Sequence, residues 1–136
     1  MTNINKVEFA DGTFDELYGH KIIELKEDYI RTEVQISSNL HQPMGLVHGG
    51  VYSSMAEAAI SYAAYFNSEG VWVGVNNNTD FLKSSKEGSL ICEATPVKMG
   101  KRSQLWEAKI YNGDTLCAVS KAVSYTHLTL PTIHLV

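Results

Sequence analysis

The feature that most constrains the fold is a nearly uncharged run with the spacing of a helix, predicted over residues 50–67. Apolar side chains recur along it at every third or fourth position, and its other residues are mostly Ala, Ser and Tyr. A helix that is apolar almost all round is expected to be buried on most sides. Glu57 is the one charged residue of the run, and a charge there costs free energy unless a partner or a reaction uses it. We therefore expect the chain to wrap around this helix and Glu57 to have a function.

Both flanks of the helix have the pattern of β-strands separated by turns. Residues 20–37 before the helix form two such runs. Four more follow it, at residues 71–82, 90–99, 104–111 and 116–122. Strands and helices do not alternate, which disfavours a parallel α/β sheet. The prediction is an α+β fold, in which a curved antiparallel sheet of five or six strands wraps one long central helix.

The chain of 136 residues is long enough for a single domain with its own core. Its end is unusual, because residues 123–132 read as the translation of a transposase-type sequencing adapter, GTC TCT TAT ACA CAT CTG ACG CTG CCG ACG. We therefore predict one domain over residues 1–122 and a non-native tail over residues 123–136, and assign no function to His127 or His134. The alternative is an ordinary C-terminal strand and tail, and an independent read of the encoding DNA would decide between them.

Charge and cysteine content disfavour several classes of protein. The net charge of -4 argues against nucleic-acid binding through bulk electrostatics. Cys92 and Cys117 form no CxxC pair, and two isolated thiols favour a reducing cytoplasm over a disulfide framework. The first residues are polar and do not form the apolar core of a secretory signal. No apolar run reaches the length of a membrane span, so we expect a cytoplasmic protein.

A polar stripe runs along the predicted helix. Its members, aligned by the 3.6-residue period, are Gly50, Ser54, Glu57 and Ser61. Glycines at the first turn let backbone N–H groups approach a ligand closely, and these groups favour a developing negative oxygen. A carboxylate two turns further on is able to act as nucleophile or general base. This combination suits attack on an acyl carbonyl.

The two ends of the stripe are too far apart to act on one carbonyl within one chain. Gly49 and Glu57 are eight residues apart, or ~12 Å along a helix. A reacting carbon lies roughly 3–3.5 Å from its nucleophile. Two antiparallel copies of the helix across a two-fold axis would bring both groups to one substrate, so the spacing predicts a homodimer with composite sites.

The same stretch carries a resemblance to a known family. It reads Gln42-Pro-x-Gly-x-x-His48-Gly49-Gly50, with Glu57 nine residues after the histidine. This pattern resembles the hotdog-fold acyl-CoA thioesterases. It is most similar to the bacterial branch with a catalytic glutamate, which includes the 1,4-dihydroxy-2-naphthoyl-CoA, enterobactin-proofreading and a 4-hydroxybenzoyl-CoA thioesterase. The similarity covers most of residues 15–122.

The resemblance implies hydrolysis of an acyl- or aroyl-CoA and a role for each matching residue. Glu57 would be the nucleophile or general base, and the partner's Gly49 N–H would polarise the thioester carbonyl. Gln42 and His48 would position the carbonyl or the leaving thiolate. Ser61 stands where the family often has a residue that orients water.

Coenzyme A is expected only as part of the substrate, with no metal and no other cofactor. Cations and turn N–H groups suit its phosphates. The substrate-binding candidates are therefore Gly50, Ser54, Lys83, Lys101, Arg102 and Ser103. Phe81 departs from the pattern, because the naphthoyl-CoA enzyme has a histidine in this segment. This branch commonly forms homotetramers, so the expected partners are copies of the chain, with no nucleic acid and no membrane.

Other readings stay open at this stage. Each of these residues alone has a structural explanation, such as a capping histidine, a solvated glutamate or a turn of glycines. Tyr52, Met55, Tyr62 and Tyr65 either line an acyl pocket or pack in the core, and their helical spacing favours the core. A dehydratase acting on acyl thioesters would use a His/Asp pair placed differently, and a non-catalytic acyl-CoA-binding module would bind without turnover.

Overall fold

The computed structural model describes residues 8–68 and 70–127. Its elements are α1 (Phe14–Leu17), β1 (Lys21–Lys26), β2 (Tyr29–Gln35), α2 (Gly49–Asn67), β3 (Val71–Phe81), β4 (Ser89–Met99), β5 (Ser103–Asn112) and β6 (Thr115–His127). The predicted α+β class, with one long helix and an antiparallel sheet, is confirmed, and the sheet has six strands. No helix within the described ranges is long and apolar enough to cross a membrane.

All six strands form one sheet in the order β1-β2-β4-β5-β6-β3, and every neighbouring pair is antiparallel. α2 packs against one face of this sheet and contacts every strand. The largest fully buried side chains between helix and sheet include Ile30, Met55, Ile60, Leu90, Trp106 and Ile110. A tight turn joins β5 and β6, and Gly113 in this turn has φ +62, which glycine adopts at little cost.

β3 follows the open side of α2 and fixes the surroundings of the polar stripe. Gly74 lies beside Glu57, since a Cβ added to this glycine would be 3.1 Å from the Glu57 Oε2 atom. Seven residues later Phe81 lies against Gly49, where an added Cβ would be 2.7 Å from Cζ of the phenyl ring. The strand therefore runs from the middle of the helix to its N-terminus, with glycines at both close approaches.

β6 continues five residues beyond the predicted domain boundary near Ala122. Residues 123–127 pair with β3, and Ser124 and Tyr125 also pair with β5. Ser124 is buried at 1% exposure, and its Oγ has no hydrogen-bond partner among the described residues. The boundary stays a prediction, and residues 128–136 of the predicted tail lie outside the described residues.

Candidate active site

The N-terminus of α2 presents one free backbone donor. His48 is the N-cap residue in an extended conformation, and its Nδ1 accepts a 2.8 Å hydrogen bond from the Gly50 N–H. Since Nδ1 acts as acceptor, the ring proton of a neutral His48 lies on Nε2. The Gly49 N–H, the first of the helix, has no acceptor within the described ranges. Of the two predicted glycine donors, only Gly49 is therefore available to a ligand.

The loop before the helix is shaped by Gln42. Its backbone N–H donates to the Leu46 carbonyl at 2.7 Å, and its carbonyl accepts from the Gly45 N–H at 2.9 Å. Its side-chain Oε1 accepts from the Met44 N–H. The Nε2 amide makes no hydrogen bond in the part of the chain that the structure describes. Gln42 thus holds its loop closed by hydrogen bonds. Among the described residues its side-chain amide nitrogen remains free as a donor, six residues before the N-cap residue His48.

Glu57 lies on the exposed face of α2, so the expectation that it sits in buried surroundings is wrong. The helix buries one face against the sheet and leaves this carboxylate open to solvent in the single chain. Ser61, one turn further along, donates from Oγ to the Glu57 Oε2 at 3.4 Å. Gly74 has no side chain, which leaves room for the carboxylate between helix and strand. The free energy cost of a buried charge therefore does not arise here.

A cavity of about 350 Å³ opens beside Glu57. It is bounded by parts of α1, α2 and β3 and by the segment before α1, and its lining is Phe9, Asp15, Glu57, Ala58, Ser61, Tyr62, Tyr65, Val71 and Trp72. The expectation that the helix tyrosines are core residues is correct for Tyr52, which is 2% exposed, and wrong for Tyr65, which is 59% exposed. Tyr62 is half-buried and lines the cavity as well.

A separate cavity of about 540 Å³ lies at the helix N-terminus. Three predicted site residues, His48, Gly50 and Ser54, are among its lining residues. Glu57 and Ser61 are absent from it, because they lie one to two turns further along the helix. The free Gly49 N–H lies at this end of the helix, although Gly49 itself is not among the lining residues. The single chain thus holds two half-sites, one at the helix N-terminus with the backbone donor and one with the carboxylate. A larger cavity of about 1230 Å³, beside the β1–β2 hairpin, contains no predicted site residue.

The cations predicted to bind coenzyme A do not meet within one chain. Lys83 follows the C-terminal end of β3, whereas Lys101 and Arg102 precede β5 at the opposite end of the sheet. Strand pairing shows that Lys101 and Arg102 lie level with the start of β3. Ser103, the next residue, pairs with Tyr125 of β6, and Tyr125 pairs with Val73 of β3. Eleven residues of strand separate the two groups by roughly 30 Å. All three cations are exposed.

Sequence reasoning missed the residues that the fold brings to Glu57 from other elements. Gly74 and Trp72 come from β3, and Asp15 comes from α1. Asp15 belongs to a hydrogen-bonded cluster with Tyr18 and His20. The spacing of these three residues has no recognised motif, so only their contacts reveal the cluster.

Comparison with known proteins gives consistent matches. The model of a family described as the thioesterase superfamily matches residues 44–119. A protein named as an esterase in Mycobacterium tuberculosis (strain CDC 1551 / Oshkosh) is 43% identical over 98 residues, covering 68% of this chain and 70% of that protein. The 1,4-dihydroxy-2-naphthoyl-CoA hydrolase of Escherichia coli (strain K12) is 30% identical over 120 residues, covering 86% and 82%.

Solved structures agree with these sequence matches. The crystal structure of a thioesterase from Haemophilus influenzae superposes with a TM-score of 0.83 at 28% identity, covering 91% of this chain and 88% of the other. The esterase structure from Mycobacterium tuberculosis gives a TM-score of 0.82 at 36% identity, covering 84% and 95%. The likeness therefore covers most of the fold, the long helix and the sheet.

Proposed function

The chain belongs to the thioesterase superfamily, has the hotdog fold and is a thioester hydrolase, and we propose that a composite site between two copies hydrolyses its acyl-CoA or aroyl-CoA substrate. The products are the free acid and coenzyme A. The observation that carries the proposal is the separation of the free Gly49 N–H and the Glu57 carboxylate into two half-sites on one helix. Each half-site holds what the other needs for acyl transfer.

Glu57 supplies the base or the nucleophile. It is exposed, its one hydrogen bond among the described residues is the long one from Ser61, and Gly74 leaves space on its strand side. In the general-base role, the Glu57 carboxylate takes a proton from water while the water oxygen bonds to the thioester carbon. The C–S bond then breaks, and the leaving thiolate of coenzyme A receives the proton. Ser61 supports this role because its hydroxyl lies where a water beside Glu57 would be held.

The Gly49 N–H of the second copy stabilises the negative oxygen that forms on the carbonyl. Its position at the start of α2 adds the helix dipole to the hydrogen bond. His48 contributes twice, because Nδ1 fixes the first turn and Nε2–H remains as a donor. The free amide of Gln42 supplies a further donor for the carbonyl or the leaving thiolate.

The β3 edge gives a specific arrangement for the two copies. β3 is an edge strand of the sheet, and its exposed residues include Val71, Val73 and Val75. A long exposed edge with apolar residues readily pairs with a second copy. A two-fold axis at Asn77 would set Gly74 of one copy opposite Asp80 of the other, next to the Phe81 that lies against Gly49. That register carries Glu57 towards the Gly49 of the second copy.

The same arrangement would bring the predicted phosphate-binding cations together. Lys101 and Arg102 lie near the start of β3, and Lys83 follows its end. Antiparallel pairing of two β3 strands places the start of one beside the end of the other. Lysines and an arginine from two copies would then surround one coenzyme A, and Ser103 adds a hydroxyl. The dimer, or a dimer of such dimers, belongs to the proposal.

The proposed reaction needs no metal and no cofactor beyond the coenzyme A of the substrate. Both cysteines are free and buried, which suits a reducing compartment. We therefore extend the proposal to a protein that works in the cytoplasm on a small-molecule substrate.

Thiol release measures the proposed activity directly. Wild-type protein with benzoyl-CoA and a thiol reagent should release free thiol, and Glu57→Gln should lower kcat by roughly 10²–10⁴-fold. Glu87→Gln, an exposed carboxylate in the turn before β4, serves as the matched control and should keep its activity. Activity in Glu57→Gln equal to wild type, or no thiol release from any aryl- or medium-chain acyl-CoA, would remove the proposal. Single turnover in ¹⁸O-labelled water tests for a nucleophile, because label in Glu57 arises only from an anhydride of Glu57 whose glutamyl carbonyl is attacked by water.

A further inference from the structure

A second carboxylate, Asp15, faces the cavity beside Glu57. Its Oδ1 accepts a hydrogen bond from the Tyr18 hydroxyl at 2.9 Å and pairs with the His20 Nδ1 at 2.9 Å. Its backbone carbonyl accepts from the His20 N–H at 2.9 Å. The side chain is 21% exposed. Its second oxygen, Oδ2, accepts no hydrogen bond from the described residues, so one acceptor is fixed in place and unused.

The support behind Asp15 is buried and rigid. The side chain of His20 is fully buried, and its Nε2 is 2.7 Å from the hydroxyl of Thr32, which is also fully buried. The ring of Phe9 stacks on His20 with centroids 4.5 Å apart and meets Tyr62 edge-on at 5.7 Å. Burial and the neighbouring Asp15 carboxylate raise the pKa of Tyr18 well above its ordinary value, so its hydroxyl stays a donor.

The cavity has the chemistry of an acyl pocket rather than of a phosphate site. The charges in its lining are two carboxylates, Asp15 and Glu57, and much of the remaining lining is aromatic. Carboxylates repel phosphate groups, so the nucleotide part of coenzyme A belongs elsewhere, near the cations. The reacting carbon must lie at Glu57, which leaves this cavity for the acyl group.

We propose that Asp15 is a specificity-determining residue, whose Oδ2 accepts a hydrogen bond from a hydroxyl or amino group on the acyl part of the thioester substrate. This inference rests on the proposed function, because it takes Glu57 as the reacting group. Binding of an acyl group without a donor removes water from Oδ2 and leaves it unpaired, which costs affinity. An acyl group that ends in a carboxylate is repelled by both acids of the cavity.

A substrate series tests the preference on the wild-type protein. The substrates are the coenzyme A thioesters of benzoic acid and of its 3- and 4-hydroxy, amino, methoxy and carboxy derivatives. The best hydroxy or amino substrate should exceed its methoxy counterpart in kcat/KM by about tenfold or more, mainly through KM. The carboxy derivatives should be the poorest. The hydroxy and amino arms distinguish which donor the pocket takes.

Asp15→Asn links the preference to the residue. The amide is able to turn its NH₂ group to the ligand, so the hydroxy-to-methoxy ratio of kcat/KM should fall at least tenfold and approach one. Asp11→Asn, an exposed carboxylate of the same segment outside the cavity lining, should keep the wild-type ratio. If the wild type hydrolyses these thioesters with a ratio near one, or Asp15→Asn keeps the ratio, the inference on Asp15 is wrong and the proposed function stands. If no thioester is hydrolysed, the proposed function fails first.

Discussion

The two edges of the sheet differ in length, charge and what lies beneath them. β1 has six residues, three of which are charged, and its pairing with β2 contains an irregularity. β3 has eleven residues and no charge before Asp80, and its exposed residues include Val71 at 61% and Val75 at 58%. Charged and irregular edges resist pairing with other chains, whereas long uncharged edges invite it.

The polar groups near the two edges also differ in how far they are hydrogen-bonded within the chain. On the β1 side the buried His20 is paired with Asp15 and Thr32 through its two ring nitrogens, and at the surface Lys26 bonds to Glu24 at 3.1 Å. On the β3 side, within residues 8–68 and 70–127, the Gly49 N–H has no acceptor and Glu57 has only a long hydrogen bond from Ser61. Polar groups that are hydrogen-bonded within the chain stabilise its fold, whereas donors and carboxylates without such partners remain able to bind a ligand. Apart from the Asp15 Oδ2 that we propose to bind the acyl group, the comparison therefore assigns stability to the β1 side and catalysis to the β3 side.

The largest effect on activity is expected from removing the unused donor on the β3 side. Gly49→Pro removes this N–H and keeps the helix, because proline fits the first position of a helix and the extended His48, at ψ 136, tolerates a following proline. We expect kcat to fall by roughly 10²–10³-fold, the usual result of losing one oxyanion donor. Steady-state thiol release measures it.

Gly49→Ala is the matched control for this substitution. It adds a Cβ at the same point, 2.7 Å from the Phe81 ring, but keeps the N–H. Strain against the ring is therefore common to both variants, and the difference between them isolates the hydrogen bond. Equal activities in the two variants would show that Gly49 serves only packing.

A charge on the β3 edge should separate the copies. Asn78 is exposed near the middle of β3, so Asn78→Lys would bring two lysines together at the two-fold axis, and we expect association to weaken at least tenfold. Activity at low protein concentration should fall in parallel. Ile23→Lys on the β1 edge, where Ile23 is 39% exposed, is the control. Dissociation by the β1 variant alone, in analytical ultracentrifugation, would reverse the comparison.

Mixing two inactive variants tests whether the half-sites act across copies. A heterodimer of Glu57→Gln and Gly49→Pro has one site with both groups intact and one with neither. Random mixing makes about half of the dimers heterodimers, so activity should return to about a quarter of wild type. Each variant alone, treated in the same way, stays inactive. If subunit exchange is confirmed and activity still does not recover, each site is built within one chain.

Local sequence pattern was enough to predict the fold, because helical and alternating periods are properties of neighbouring residues. The helix was predicted at residues 50–67 and found at Gly49–Asn67. Periodicity did not separate Tyr52 from Tyr65, since both lie on one apolar helix and only the sheet decides which face is covered. Gly74 lies beside Glu57 because of the register in which β3 packs along the helix. Asp15 lies near Glu57 because of the course that the chain takes before β1. Such contacts depend on where distant elements meet, which one sequence does not reveal.

The smallest effect on activity is expected on the β1 side, at Cys92 of β4, which pairs with Thr32 of β2. Complete burial raises the pKa of the Cys92 thiol from 9.0 to about 12. The folded state keeps the thiol proton at pH values where the unfolded state releases it. The thiol therefore contributes stability below the pKa of the unfolded state, and this contribution is lost as pH rises from about 9 to 12.

At pH 10.5 the loss in free energy of unfolding is about 2 kcal/mol. Between pH 8 and 10.5, Cys92→Ala should therefore lose about 2 kcal/mol less than wild type, as measured by urea titrations under reducing conditions. The pKa of Tyr29, also raised to about 12 by burial and Glu93, acts equally in both proteins and cancels. Since Cys92 lines neither of the two cavities, kcat at neutral pH should be unchanged, and a lower kcat with an unaltered pH dependence of unfolding would contradict the division of the molecule into a stabilising and a catalytic side.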